Sequence, residues 1–116
     1  MSAEKMEIRG DILPAAFVSD PARRVEIART ILSQLPEWFG IPAATEGYIT
    51  DAAHEPCFVC EKDGAPVGFL CLKETGRSTV ELAVMGVLKP CHRKGYGRAL
   101  VDAAVAYARQ TGYEFM

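Results

Sequence analysis

The stretch Glu81 to Gln110, ELAVMGVLKPCHRKGYGRALVDAAVAYARQ, limits what this chain can be more than any other part of it. An apolar run of strand character enters a short basic turn with two glycines, and the turn enters a long alanine-rich helix. The turn, His92-Arg93-Lys94-Gly95-Tyr96-Gly97, falls where the helix begins. A helix start has unpaired backbone N–H groups and a partial positive charge. Glycines there let a ligand approach the backbone closely, so the pattern provides for a phosphate or pyrophosphate. Lys89, Arg93, Lys94 and Arg98 crowd the turn, and no Asp or Glu occurs between Glu81 and Asp102. The local field is therefore positive although the chain is formally −2.

The rest of the chain reads as the scaffold for that unit. Met6 to Arg9 is a candidate first strand. Asp20 caps a helix with Pro21 at its first position; the helix runs to about Gln34, where Pro36 stops it. Val25, Ala28, Ile31, Leu32 and Leu35 form its apolar stripe, and Arg23, Arg24 and Glu26 face solvent. A second helix spans about Ala43 to Ala53, with Tyr48 and Ile49 toward the core. Cys57 to Lys62 is a strand, Asp63-Gly64 a hairpin turn, and Ala65 to Lys73 the return strand, with Val67 and Phe69 on one face and Cys71 next in line. Thr75 to Ser78 turns the chain into the strand Thr79 to Leu88. The helix Gly97 to Thr111 presents Leu100, Ala103, Ala104, Tyr107 and Ala108 on one face and ends at Gly112. Tyr113 to Met116 begins a further strand. The order (β)ααβββαβ gives a mixed α/β sheet with residues 1–116 as one domain, and the last helix crosses over between parallel strands.

At 116 residues, 49% hydrophobic and 24% charged, the chain has the balance of an ordinary globular domain. Its slightly acidic charge excludes a general nucleic-acid binder. No apolar run reaches the ~20 residues that span a bilayer, and the start lacks a signal-peptide core, so the expected location is the cytoplasm. That location makes disulfides unexpected for Cys57, Cys60, Cys71 and Cys91. His54-x-x-Cys57-x-x-Cys60 has the spacing of metal ligands, but two strand positions three apart point to opposite faces. The cysteines are read as buried thiols, with no metal site.

Two familiar phosphate loops do not fit the basic turn. The pattern G-x-x-x-x-G-K-S/T is absent, and the dinucleotide pattern G-x-G-x-x-G meets Leu100 at its third glycine. The turn instead resembles the acetyl-CoA loop of the GNAT superfamily of N-acetyltransferases, Q/R-x-x-G-x-G/A after an apolar strand. His92 stands where that pattern has Gln or Arg, and Arg93 and Lys94 keep the charge. The resemblance extends over nearly the whole chain. It implies a GNAT-like acyl-CoA N-acyltransferase fold, with acetyl-CoA as co-substrate and a small-molecule or protein amine as acceptor. It implies cofactor contacts from Met85, Gly86 and Val87 of the strand and from His92, Arg93, Lys94, Gly95, Tyr96, Gly97 and Arg98 of the loop.

Glu81 is the candidate general base. It lies in an apolar strand, fourteen residues before Gly95, where one branch of the family carries a glutamate base, and apolar neighbours would raise its pKa. The alternative is a strand-edge glutamate facing water. Gly86 suits either a bulge that exposes backbone N–H groups or close packing of the crossover helix. Trp38 and Phe39 lie in an aromatic loop that is either a core plug or a wall of the acceptor groove, and the resemblance implies the latter. His54 and His92 are alternative bases. The family ordinarily continues beyond Tyr113 with more helix and strand. Without that part a sheet edge stays open, and we expect either pairing of two chains or marked instability. It also leaves room for an acetyl-CoA-binding or regulatory module with little catalysis, or for a general anion-binding domain.

Overall fold

The computed structural model describes residues 14–36 and 42–115. Five strands form one sheet in the order β1-β2-β3-β4-β5. β1 is Ala16–Val18, α1 Pro21–Leu32, α2 Pro42–Asp51, β2 Cys57–Lys62, β3 Ala65–Gly76, β4 Thr79–Val87, α3 Tyr96–Thr111 and β5 Glu114–Phe115, with single 3-10 turns at Ala52–His54 and Lys89–Cys91. Neighbouring strands from β1 to β4 are antiparallel, and β5 joins β4 in parallel through the crossover of α3, as the element order predicts. The expected first strand at Met6 to Arg9 and the loop of Trp38 and Phe39 lie outside the described residues. The strand at Ala16–Val18 was not evident in the sequence, because three residues are too few to show an alternation.

Helix ends follow local chemistry. Asp20 Oδ1 accepts from the Ala22 N–H at 3.1 Å, with Pro21 at the first position. Gly112 ends α3 at φ 82°, a left-handed conformation that glycine adopts without a Cβ clash. Each face of the sheet carries one helical layer. Ile27, Ala28, Ile31 and Leu32 of α1, with Leu35, bury themselves against Val59, Phe69, Cys71 and Val84. Leu100, Ala104 and Ala108 of α3, one position per turn, cover Phe58, Leu70, Leu72 and Val80 on the other face. In α2, Ile49 is buried at 3% exposure, but Tyr48 is 39% exposed, contrary to its expected place in the core. Adjacent residues on a helix are ~100° apart, too far for one shallow face to bury both. Arg24 is not a plain solvent residue either. Its Nε donates to the Val18 carbonyl at 2.7 Å and so fastens α1 to β1.

Among the described residues, two of the three register shifts in the sheet decide which face the core residues of β3 and β4 meet; the third, at Thr75, lies at the hairpin end. Between Cys60↔Gly68 and Glu61↔Pro66, β3 carries Val67 as an extra residue. Val67 therefore falls on the α3 side while Phe69 and Cys71 face α1, so the expected shared face of Val67 and Phe69 does not form. Between Cys71↔Val84 and Leu72↔Leu82, β4 carries Ala83 as an extra residue. The bulge suggested at Gly86 is thus three residues earlier. Gly86 itself pairs regularly with Phe69. It is glycine for close packing, and the helix concerned is α1 rather than the crossover helix. A Cβ there would sit 3.2 Å from Leu35 Cδ1 and 3.3 Å from Ile31 Cγ2. Gly86→Ala should therefore destabilise the fold by about 1–3 kcal/mol through overpacking. Urea unfolding measures this, and an unchanged midpoint would mean that α1 yields freely.

The cysteines divide. Cys57 faces the α1 side and Cys60 the α3 side, as strand alternation requires. Cys60 and Cys91 are buried free thiols. Cys57 and Cys71, read as thiols from the sequence, form a disulfide. The register accounts for the difference: the two are direct cross-strand partners with Cα atoms 4.3 Å apart, a juxtaposition that composition cannot reveal.

Candidate functional site

The basic turn is built as a cradle. After β4 the chain makes the Lys89–Cys91 turn, closed by Cys91 N–H to Leu88 C=O at 2.8 Å and His92 N–H to Lys89 C=O at 3.1 Å. Arg93 then takes φ 63° and Gly95 φ 93°, so the chain bends through left-handed conformations into α3. The first helical bond runs from Ala99 N–H to Gly95 C=O at 3.0 Å. The N–H groups of Tyr96, Gly97 and Arg98 precede it, and Gly95 contributes no capping side chain. A Cβ on Gly97 would meet no atom within 4 Å, so the helix start is open to a ligand. Arg93, Lys94 and Arg98 are exposed around it. Tyr96 turns inward into the α3-side core and is buried. Its carbonyl accepts from Cys60 Sγ at 3.7 Å, tying the helix start to β2. Burial pushes the Cys60 thiol up to about 11, so it has little thiolate character near neutrality.

Met85, Gly86, Val87, Cys91, His92, Arg93 and Gly97 line one cleft of about 360 Å³. The structure thus brings the strand residues and much of the loop read from the sequence to a single place. The ladder explains what the strand offers. Leu88 N–H bonds to Val67 C=O at 2.9 Å, so Val87↔Gly68 is the pair without mutual hydrogen bonds. The N–H and C=O of Val87, and of Met85 two residues back, point away from β3. On that side β5 pairs only at Thr79↔Glu114 and Val80↔Phe115. Beyond Val80 no described strand pairs with that edge of β4, and its last residues, Met85 to Val87, line the cleft. A larger cleft of about 600 Å³ lies between β1 and α3, lined by Phe17, Phe58 and Tyr107 among others. Among the described residues its one charged lining side chain is Asp102, which does not suit a phosphate.

Glu81 follows the last residue of β4 that pairs with β5, on the α1 side of the sheet opposite Lys73. It is exposed. The expected burial among apolar neighbours is not found, because Glu81 lies near the end of the strand, past the cover that α1 gives Val84 and Gly86. Among the described residues, the carboxyl with a raised pKa is Glu55, which the sequence did not single out. Partial burial, helped by the nearby Asp51 carboxylate and opposed by Lys73, pushes it up to about 7. No motif marks it; its partial burial just after the Ala52–His54 turn, which packs against α1 and α2, does. A folded state that keeps the Glu55 proton up to about pH 7 is favoured below the ordinary value of 4.5, and this stabilisation is lost as the pH rises through about 7. Glu55→Gln should therefore gain stability relative to the native chain between about pH 5 and about pH 8. Urea midpoints at both pH values check this, and an equal difference at both would contradict it. His54 is exposed at the end of the same turn.

Among the described residues, no helix is long and apolar enough to cross a membrane. None of their His, Cys, Asp and Glu side chains form a group of three placed to hold a metal ion.

This geometry agrees with the comparisons to known proteins. The model of the Acetyltransferase (GNAT) family matches residues 24–116. The chain belongs to that family. No curated protein matches it. An IAA acetyltransferase from Bacillus cereus ATCC 14579 is 27% identical over 58% of this chain and 45% of its own, with a TM-score of 0.54. This chain thus spans less than half the length of that relative. The ribosomal-protein-alanine N-acetyltransferase from Brucella melitensis biovar Abortus 2308 superposes with a TM-score of 0.66 at 17% identity, over 87% of this chain and 74% of its own. The aminoglycoside N-acetyltransferase AAC(6')-Iy, in complex with CoA, gives 0.65 at 20% identity over 88% and 72%. The family match supports acyl transfer as the general chemistry, and the superpositions support the fold.

Proposed function

We propose that the chain transfers an acetyl group from acetyl-CoA to a primary amine of a small molecule or protein. One observation carries the reading: the open backbone edge of β4 and a basic, glycine-bearing helix start meet in a single cleft. Acetyl-CoA has the matching shape, an amide-containing arm joined to a pyrophosphate, and it supplies the activated acyl group. In this reading the N–H groups at Tyr96 to Arg98 hold the pyrophosphate, with Arg93, Lys94 and Arg98 adding charge. The edge at Met85 to Val87 pairs with the arm as a neighbouring strand would. A backbone N–H from β4 stabilises charge that develops on the thioester oxygen.

The acceptor amine is mostly protonated at pH 7 and must lose a proton to attack. Glu81 takes that proton, directly or through water. Its place where β4 and β5 part supports the role. Trp38 and Phe39 remain proposed acceptor contacts. The solved neighbours carry names for acceptors as different as an aminoglycoside and a ribosomal-protein alanine, so the acceptor is proposed only as an amine.

The exposure of Glu81 favours a second reading, an acetyl-CoA-binding module with little catalysis. CoA calorimetry combined with a thiol-release assay over a panel of amines separates the two. Release of CoA thiol that depends on the amine supports the enzyme. Tight binding with no release across the panel supports the module.

A further inference from the structure

We infer that His92 is a positioning residue whose imidazole fastens the phosphate loop to the end of β4. This deepens the acyl-CoA reading and rests on it. Val87 closes β4, and its carbonyl points to the open side of the strand. His92 Nε2 lies 2.6 Å from that oxygen. A carbonyl can only accept, so Nε2 bears the proton, and the bond selects the imidazole tautomer protonated there.

The tie spans a turn whose middle is already held by the backbone bonds at Cys91 and His92. Its far end needs separate support. The next residue, Arg93, sits at φ 63°, a conformation that costs a non-glycine residue energy and persists only where the surroundings impose it. The His92 side chain is a restraint immediately before that bend. It fixes the β4 edge relative to the N–H groups at the start of α3. A CoA molecule spanning both must find them at a set distance. Without the tie, the loop must be ordered when the ligand binds, and affinity falls. His92 thus acts through the geometry of the loop and takes no proton from the acceptor.

The test joins a spectroscopic readout on the ligand-free protein to a binding series with CoA. Long-range ¹⁵N spectra of the imidazole should report His92 as the Nε2–H tautomer, with a coupling across the hydrogen bond to the Val87 carbonyl carbon. Calorimetry should find CoA affinity about three- to tenfold weaker in His92→Ala, as for loss of one ordering hydrogen bond. In His92→Gln, whose amide N–H can donate to the same oxygen, most of that loss should be recovered, with the melting temperature of both variants unchanged. An Nδ1–H tautomer, an absent coupling, or undiminished CoA affinity in His92→Ala would overturn the inference. A native chain that shows the tautomer and coupling but does not bind CoA would retain the tie and overturn the acyl-CoA reading instead.

Discussion

Glu81→Gln should lower kcat by about 10²–10⁴ while leaving CoA affinity unchanged, the range expected when a general base is removed. The two effects separate because of position. Glu81 lies on β4 beside the last pair with β5, whereas the cleft walls begin at Met85 and continue into the loop. Glutamine keeps the size and hydrogen bonding of the side chain but cannot take a proton. Burial does not prepare Glu81 for this work, since the residue is exposed. Its usefulness must come from placement next to the acceptor amine. The measurement is a pH–rate profile of both forms with an acceptor found in the thiol-release panel. An unchanged profile in the variant would assign proton removal to water or to another group, and Glu55, with its carboxyl pushed up to about 7, would be the next candidate.

Gly95→Val should reduce CoA affinity by more than about tenfold, equivalent to more than about 1.4 kcal/mol. Gly95 holds φ 93° at the cap of α3, where a β-branched residue meets its own backbone. Valine would have to shift the loop, and it would also place methyl groups beside the N–H groups that face the cleft. The fold should survive, since Gly95 is exposed and contributes nothing to either core. Calorimetry with CoA and a thermal melt decide the matter. Affinity within about twofold of the native chain, below the ~0.4 kcal/mol of RT ln 2, would remove the loop from the binding site.

The sequence made some parts of this structure plain and hid others, for physical reasons. Asp20-Pro21, Asp63-Gly64, Gly95 and Gly112 each write a local conformation into the chain, and all four turn or cap where expected. The order of strands and helices determined the parallel pairing of β5 with β4. Registry was not legible. The extra residues Val67 and Ala83 move side chains between faces, and no turn signal announces either. The disulfide between Cys57 and Cys71 depends on that same pairing. In the candidate site, the glycines and cations of the loop were readable because the proposed phosphate binding at a helix start would need them locally. The exposure of Glu81, the raised carboxyl of Glu55 and the bond from His92 to Val87 arise from segments meeting in space. Gly86 was readable as a special position, but the helix that requires it was not.

The central claim, that this cleft receives acyl-CoA, is tested most directly by titrating ¹⁵N-labelled protein with acetyl-CoA and mapping the amide shifts. The account predicts saturable shifts concentrated at Met85 to Val87 and at Arg93 to Arg98, with small changes elsewhere. Absence of binding, or shifts centred on the Phe17, Phe58 and Tyr107 cleft across α3, would contradict it.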